Sequence, residues 1–176
     1  MTETPTSAGA GTGIAPILPV PDLFAYLHGS WDCERELADR LGGVRGTYTG
    51  TADFSYADRP TGPAEGVLVH AEQGEMKWNG SVYPTSRTLL IHPGDAPGTA
   101  AVTFEDGRPF HILDLRSGEW TAEHPCAEDH YTGRFRILDR DHWLLVWAVT
   151  GPAKDTLMTS RYTRRGGPRP TPDGLV

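Results

Sequence analysis

The chain has 176 residues, 38% of them hydrophobic and 22% charged, which is enough apolar material to bury the core of one globular domain. With 23 acidic against 16 basic residues the net charge is −7, which excludes the overall basic footprint of a nucleic-acid or anionic-membrane binder. The longest apolar run, Leu144 to Val149, is too short to cross a bilayer, no export signal opens the chain, and Cys33 and Cys126 are too few for a disulfide framework; the expectation is a cytoplasmic protein with free thiols.

Residues 1–20, rich in Thr, Gly, Ala and Pro, have no hydrophobic period and are expected to form a disordered lead. Asp22 then suits the N-cap of a short helix over Leu23–Leu27, and Gly29 releases the chain into the first strand. From there the spacing of β-formers and breakers predicts ten strands, at 30–37, 45–56, 65–78, 82–92, 99–106, 109–115, 119–123, 130–138, 141–150 and 155–164. Leu41-Gly42-Gly43, Arg59 to Pro63, Asn79-Gly80, Pro93-Gly94-Asp95, Asp106-Gly107, Ser117-Gly118, Asp139-Arg140 and Gly151-Pro152 separate them. Hairpins in succession without helical crossovers imply an up-and-down meander, and closing it removes its exposed edges. The expected organisation is a barrel domain over 21–164 and a flexible tail over 165–176.

Alternation assigns faces, because successive strand residues point to opposite sides of a sheet. If Trp31 faces inward, so do Cys33 and Arg35. Tyr48, Gly50, Ala52, Phe54 and Tyr56 form the expected interior set of the second run, and Leu68, His70, Glu72, Met76 and Trp78 that of the third. Trp143, Leu145, Trp147 and Val149 share a face near the end, and Leu157, Thr159 and Arg161 share another. On this parity Arg161 meets Trp31 at the barrel floor, its guanidinium stacking across the indole and bonding nearby carbonyls. The outward residues Val67, Val69 and Ala71, or Leu144, Val146 and Ala148, would supply a homodimer surface.

Gly29, Trp31 and Arg161 resemble the signature of the calycins, the lipocalin and fatty-acid-binding superfamily, with a Gly-x-Trp in the first strand and an Arg or Lys in the last. More closely, Tyr26-Leu27-x-Gly29-x-Trp31 through Arg35, His124-Pro125-Cys126, Tyr131-x-Gly133 and Gly151-Pro152-x-Lys154-Asp155 resemble an uncharacterised bacterial family filed as a lipocalin-like domain of unknown function. The likeness covers about residues 22–164. It implies an all-β fold: a closed or nearly closed antiparallel barrel of about ten strands with a short N-terminal helix. A Thr-Asp-Tyr motif is missing from its usual place, so extracellular transport is not carried over.

Two groups of residues could carry chemistry. Inside the barrel, Arg35, Tyr48, Phe54, His70, Glu72, Arg87, Trp143 and Trp147 have the composition of a pocket for a small apolar or aromatic molecule. A buried Arg there needs a carboxylate, either Glu72 or an acid group on the ligand. In the second group, His111, His124 and Cys126 could ligate a metal ion if a turn at the rim converges them. The same residues with Asp129 and Tyr131 could serve metal-free catalysis, Cys126 as nucleophile, a His as base and Asp129 orienting it. The alternative to a binding module is therefore an enzyme of secondary or lipid metabolism using the same cavity, metal-assisted or shaping its substrate as a cofactor-free cyclase does. His70 or His92 could reach a haem iron, but no attachment motif accompanies them, and no cofactor is implied by any motif.

Overall fold

The computed structural model describes residues 17–57 and 66–166. The expected turn at Arg59 to Pro63, most of the N-terminal lead and most of the C-terminal tail lie outside the described residues. Helix α1 spans Leu23–Leu27, with the Asp22 carboxylate accepting from the Ala25 N–H at 3.0 Å as an N-cap. Its short length leaves one role: Leu23 and Leu27 are buried and close the base of the barrel.

Ten strands follow: β1 (Gly29–Asp39), β2 (Val44–Tyr56), β3 (Leu68–Trp78), β4 (Ser81–Pro93), β5 (Thr99–Phe104), β6 (Pro109–Asp114), β7 (Glu119–Cys126), β8 (Asp129–Ile137), β9 (His142–Gly151) and β10 (Lys154–Arg164). All neighbouring pairs are antiparallel, in the order β6-β5-β4-β3-β2-β1-β10-β9-β8-β7. Pairing of β1 with β10 curls the meander round, and β6 and β7 meet at a seam without ladder bonds, so the barrel is nearly closed. The Trp120 indole N–H spans that seam to the Ile112 carbonyl at 2.8 Å.

Segment 17–20, grouped by composition with the disordered lead, instead packs across the base of the seam. Leu18 N–H bonds the Ile137 carbonyl, Val20 N–H bonds that of Leu115, and Val20 is buried. A turn-rich composition hid two apolar residues with open carbonyls waiting for them.

The inward faces carry the core expected from alternation in β1, β3 and β9 and through most of β2. Tyr56 is the exception: it lies beyond the wall at 50% exposure. Val67, placed on an outer strip from the sequence, is 4% exposed and so offers little surface to a second copy. None of the described helices is long and apolar enough to cross a membrane.

The floor follows the expected chemistry with a different arginine. Trp31 is fully buried and its indole N–H bonds the Leu27 carbonyl at 2.8 Å. The cation over its ring is Arg164, 4.1 Å from the centroid, which also donates to the carbonyls of Tyr26 (2.6 Å) and His28 (3.1 Å). Arg161 stands on the outer wall opposite Glu34. Strand period is two, so one error of parity turns a whole strand over. In β10 the inward set is even-numbered because Tyr162 stacks on Trp143 at 3.7 Å and reaches the interior with its hydroxyl. Gly29 keeps its signature role, since its φ of +117° opens the strand where a side chain would be strained and would crowd Arg164.

Candidate functional site

The barrel interior holds two spaces. The deeper one, with a volume of about 40 Å³, has an aromatic wall of Phe54, Phe110, Phe135, Trp143 and Trp147. Trp147 lies across Gly133, where an added Cβ would sit 2.7 Å from the ring, so β8 must carry glycine there. The upper space, about 170 Å³, is lined by polar residues including Arg35, Tyr48, Glu72, Thr85 and Arg87. Arg87 borders both spaces. All eight interior residues singled out from the sequence therefore line one space or the other.

Glu72 is the centre of the polar layer between them. One Arg35 Nη2 donates to both of its oxygens, at 3.0 and 3.1 Å, and the Tyr162 hydroxyl donates at 2.6 Å. Arg87 Nη2 lies 3.0 Å from Oε2. Arg35 is further held by the Ser160 hydroxyl at 2.6 Å and faces the Tyr48 ring at 4.9 Å. His70 stacks on Phe54 at 4.2 Å, and its Nε2 comes to 3.4 Å of Glu72 Oε1 without the alignment of a hydrogen bond. This layer answers one question left open by the sequence: the carboxylate partner of Arg35 is Glu72.

Burial alone would raise the Glu72 carboxyl, but the nearby His70 nitrogen and the Arg87 and Arg35 guanidinium groups outweigh it and hold the group well below the usual carboxylate range. Burial also pushes His70 down, outweighing the pull of Glu72, and the charges of Arg87 and Arg35 add to it in the same direction. Cys33 beneath the layer is pushed up to about 12, chiefly by burial, so its thiol is inert. His111 lines the deep cavity with Nδ1 on the Ile112 carbonyl at 3.0 Å. That bond requires Nδ1 to carry the proton and leaves Nε2 a bare acceptor. Burial first, then the charge of Arg87, bring His111 down to about 4.

These shifts fix a pH dependence. Unfolded histidine takes up a proton below about pH 6.5, whereas folded His111 stays neutral to about 4, so stability falls as pH drops through that interval, by on the order of 3 kcal/mol. Glu72 adds to the loss below the unfolded carboxyl value of about 4.3, because its folded pKa is lower still. Urea unfolding at pH 7.5, 5.5, 4 and 3 should show both stages, and His111→Gln should reduce the first to the share that neutral, buried His70 contributes. A midpoint constant between pH 7 and 4.5 would contradict the assignment.

The second group of residues does not assemble. The expected rim loop is part of the β7–β8 hairpin, in which His124 turns inward between the edges of Phe110 and Tyr131, at 5.0 and 5.7 Å, while Cys126 is exposed. The Asp129 carboxylate is held by Lys154, not by an imidazole. Among the described residues no three His, Cys, Asp or Glu side chains converge as metal ligands, so His111, His124 and Cys126 are separated by the hairpin geometry that was expected to join them. His92 belongs to the outer face, bonded to Thr103 Oγ1 at 3.1 Å, and His70 is occupied within the polar layer; neither faces a space that accommodates a porphyrin.

Sequence reasoning missed Tyr162, Thr85, Phe110 and Phe135 as members of this interior. Tyr162 was detectable, since Ser160, Tyr162 and Arg164 alternate with equal regularity.

No curated protein matches the chain. Among solved structures it is similar to the S-type phycobiliprotein lyase CPES from Guillardia theta, with a TM-score of 0.57, 10% identity, and coverage of 82% of this chain and 92% of that one. It is also similar to a protein of unknown function from the DUF3598 family of Nostoc punctiforme, with a TM-score of 0.56, 14% identity, and coverage of 88% of this chain and 53% of that one. At these identities the likeness concerns the fold alone. A family model matches residues 27–164, from the end of α1 to the last residue of β10, and the chain thus belongs to a family of unknown function, DUF6314.

Proposed function

We propose that the protein binds a small, largely apolar molecule inside its barrel. The observation that carries this reading is the aromatic-walled cavity closed below by Leu27 and bordered above by a polar layer. A core made only for stability tends to be filled to native density, whereas this interior concentrates five aromatic rings around unfilled space and stations ionised groups above it. The lyase and this chain share the barrel architecture. Gly29, Trp31 and Arg164 support a distant kinship with the calycins. The enzymatic alternative draws no support from His124, Cys126 and Asp129: His124 packs between Phe110 and Tyr131, Cys126 is exposed and Asp129 is held by Lys154.

The test uses N-phenylnaphthylamine, a neutral apolar fluorophore, as the probe. The wild-type protein should enhance its emission saturably with one site per chain. Val102 is buried on the cavity wall, and Val102→Trp fills the space at an overpacking cost of about 1–3 kcal/mol. This variant should abolish the enhancement while retaining a cooperative thermal transition. Unchanged probe binding by the folded variant would place the site elsewhere and overturn the reading.

A further inference from the structure

The ligand's polar end can be read from an imbalance in the upper space. Strand β4 pairs with β3 over Ser81–Ile91, but with β5 only over Leu89–Pro93. Among the described residues its upper half, Ser81 to Thr88, therefore has a free edge, and the wall has a notch beside it. Pro84 lies in that edge, has no N–H to offer and discourages another strand from adding there. A small molecule meets no such obstacle.

Three buried polar atoms have no partner at this notch: Arg87 Nε, Tyr48 Oη and Thr85 Oγ1. All belong to residues lining the same upper space, and each can donate a hydrogen bond. Leaving such atoms unpaired is costly, and an anionic acceptor relieves all three at once. The charge count agrees. Two guanidinium groups, Arg35 and Arg87, face one carboxylate, Glu72, so the layer carries one uncompensated positive charge in a chain whose overall charge is −7.

Arg87 is the group free to meet that anion. Each Glu72 oxygen keeps a donor without it, since Arg35 reaches both and Tyr162 adds to Oε1. The Arg35 side chain is 14% exposed and bonded to Ser160, whereas that of Arg87 is 36% exposed and borders both spaces.

We propose that the notch beside β4 seats the acid group of the ligand, anchored by Arg87 with Tyr48 and Thr85, so that the ligand is an apolar or aromatic monoanion whose body enters the deep cavity. This inference rests on the reading of the barrel as a container and adds the charge of the contents. Anilinonaphthalene sulfonate and N-phenylnaphthylamine have the same ring system and differ by one negative charge, which makes them a matched pair of probes. Wild-type protein should bind the sulfonate at least tenfold more tightly. Arg87→Gln should remove that preference, the ratio of the two affinities falling to about one, and Arg87→Lys should retain part of it. Arg136→Gln, the same charge change at the outer surface, should leave the preference intact.

Thermal melts establish that each variant is folded, and should Arg87→Gln fail to fold, the wild-type preference and Arg87→Lys still decide the matter. Neutral probe bound without preference for the sulfonate would overturn the anion seat and leave the container reading standing. A preference that survives Arg87→Gln, or falls equally in Arg136→Gln, would overturn Arg87 as the anchor. Binding of neither probe would refute the container reading, and the anion seat with it.

Discussion

Glu72→Gln should be among the most damaging single substitutions in this protein, lowering the unfolding free energy by about 3–5 kcal/mol, or roughly 10 °C or more of Tm. The side chain is 3% exposed and holds Arg35, Arg87 and the Tyr162 hydroxyl together. Glutamine keeps the volume and removes the charge, so Arg35, with 14% side-chain exposure, would be left buried without a counter-ion. The ion layer is not expected to be the most stable way to fill this space. Glu72→Leu combined with Arg35→Met, which removes both buried charges, should recover much of the loss, since apolar replacement of a buried pair is often nearly neutral. Arg87 can then turn towards solvent. Chemical denaturation of Glu72→Leu, Arg35→Met and the double variant forms the cycle; a Glu72→Gln loss under 1 kcal/mol, or a double variant worse than both of its singles, would show that the layer is not coupled as the distances indicate.

How much of this was legible beforehand depended on the kind of information required. Asn79-Gly80 and Asp106-Gly107 marked their hairpins through residues that accept positive φ, and Asp22 marked the start of α1 through its capping carboxylate; such signals are local and survive without tertiary context. Period-two alternation placed Trp31, Arg35, His70 and Glu72 on inward faces because each strand had one plainly more apolar side. In β10 both sides mixed apolar and polar residues, and only the cross-barrel fit of Tyr162 against Trp143 and Glu72 decides between them. That fit depends on residues distant in sequence. The same limit applies to chemistry: His124, Cys126 and Asp129 are neighbours in sequence yet take different partners, while Arg35 and Glu72 are 37 residues apart and share a bond. Neither the notch at β4 nor the unpartnered Thr85 could be anticipated, because both arise from β5 ending short of its neighbour.

At the other end of the barrel, Trp31→Ala should cost about 3–5 kcal/mol while changing the affinity for either naphthyl probe by less than about threefold. Trp31 is fully buried, packs edge-on to Trp143 at 6.2 Å and is clamped from outside by Arg164, yet it borders neither interior space. The indole thus supports the floor on which Leu27 and Trp143 rest rather than the ligand. Its partner distinguishes the two candidate arginines. Arg164→Ala removes the cation over the indole and leaves the carbonyls of Tyr26 and His28 without their donors, a loss of about 1–3 kcal/mol. Arg161→Ala on the outer wall should remain within about 0.5 kcal/mol of wild type. If Arg161→Ala proved the costlier change, the parity of β10 would be reversed, and with it the placement of Tyr162 against Glu72 on which the polar layer depends. Thermal melts of these three variants, with probe titrations of each folded one, therefore test the floor and the site above it as separate parts of one wall.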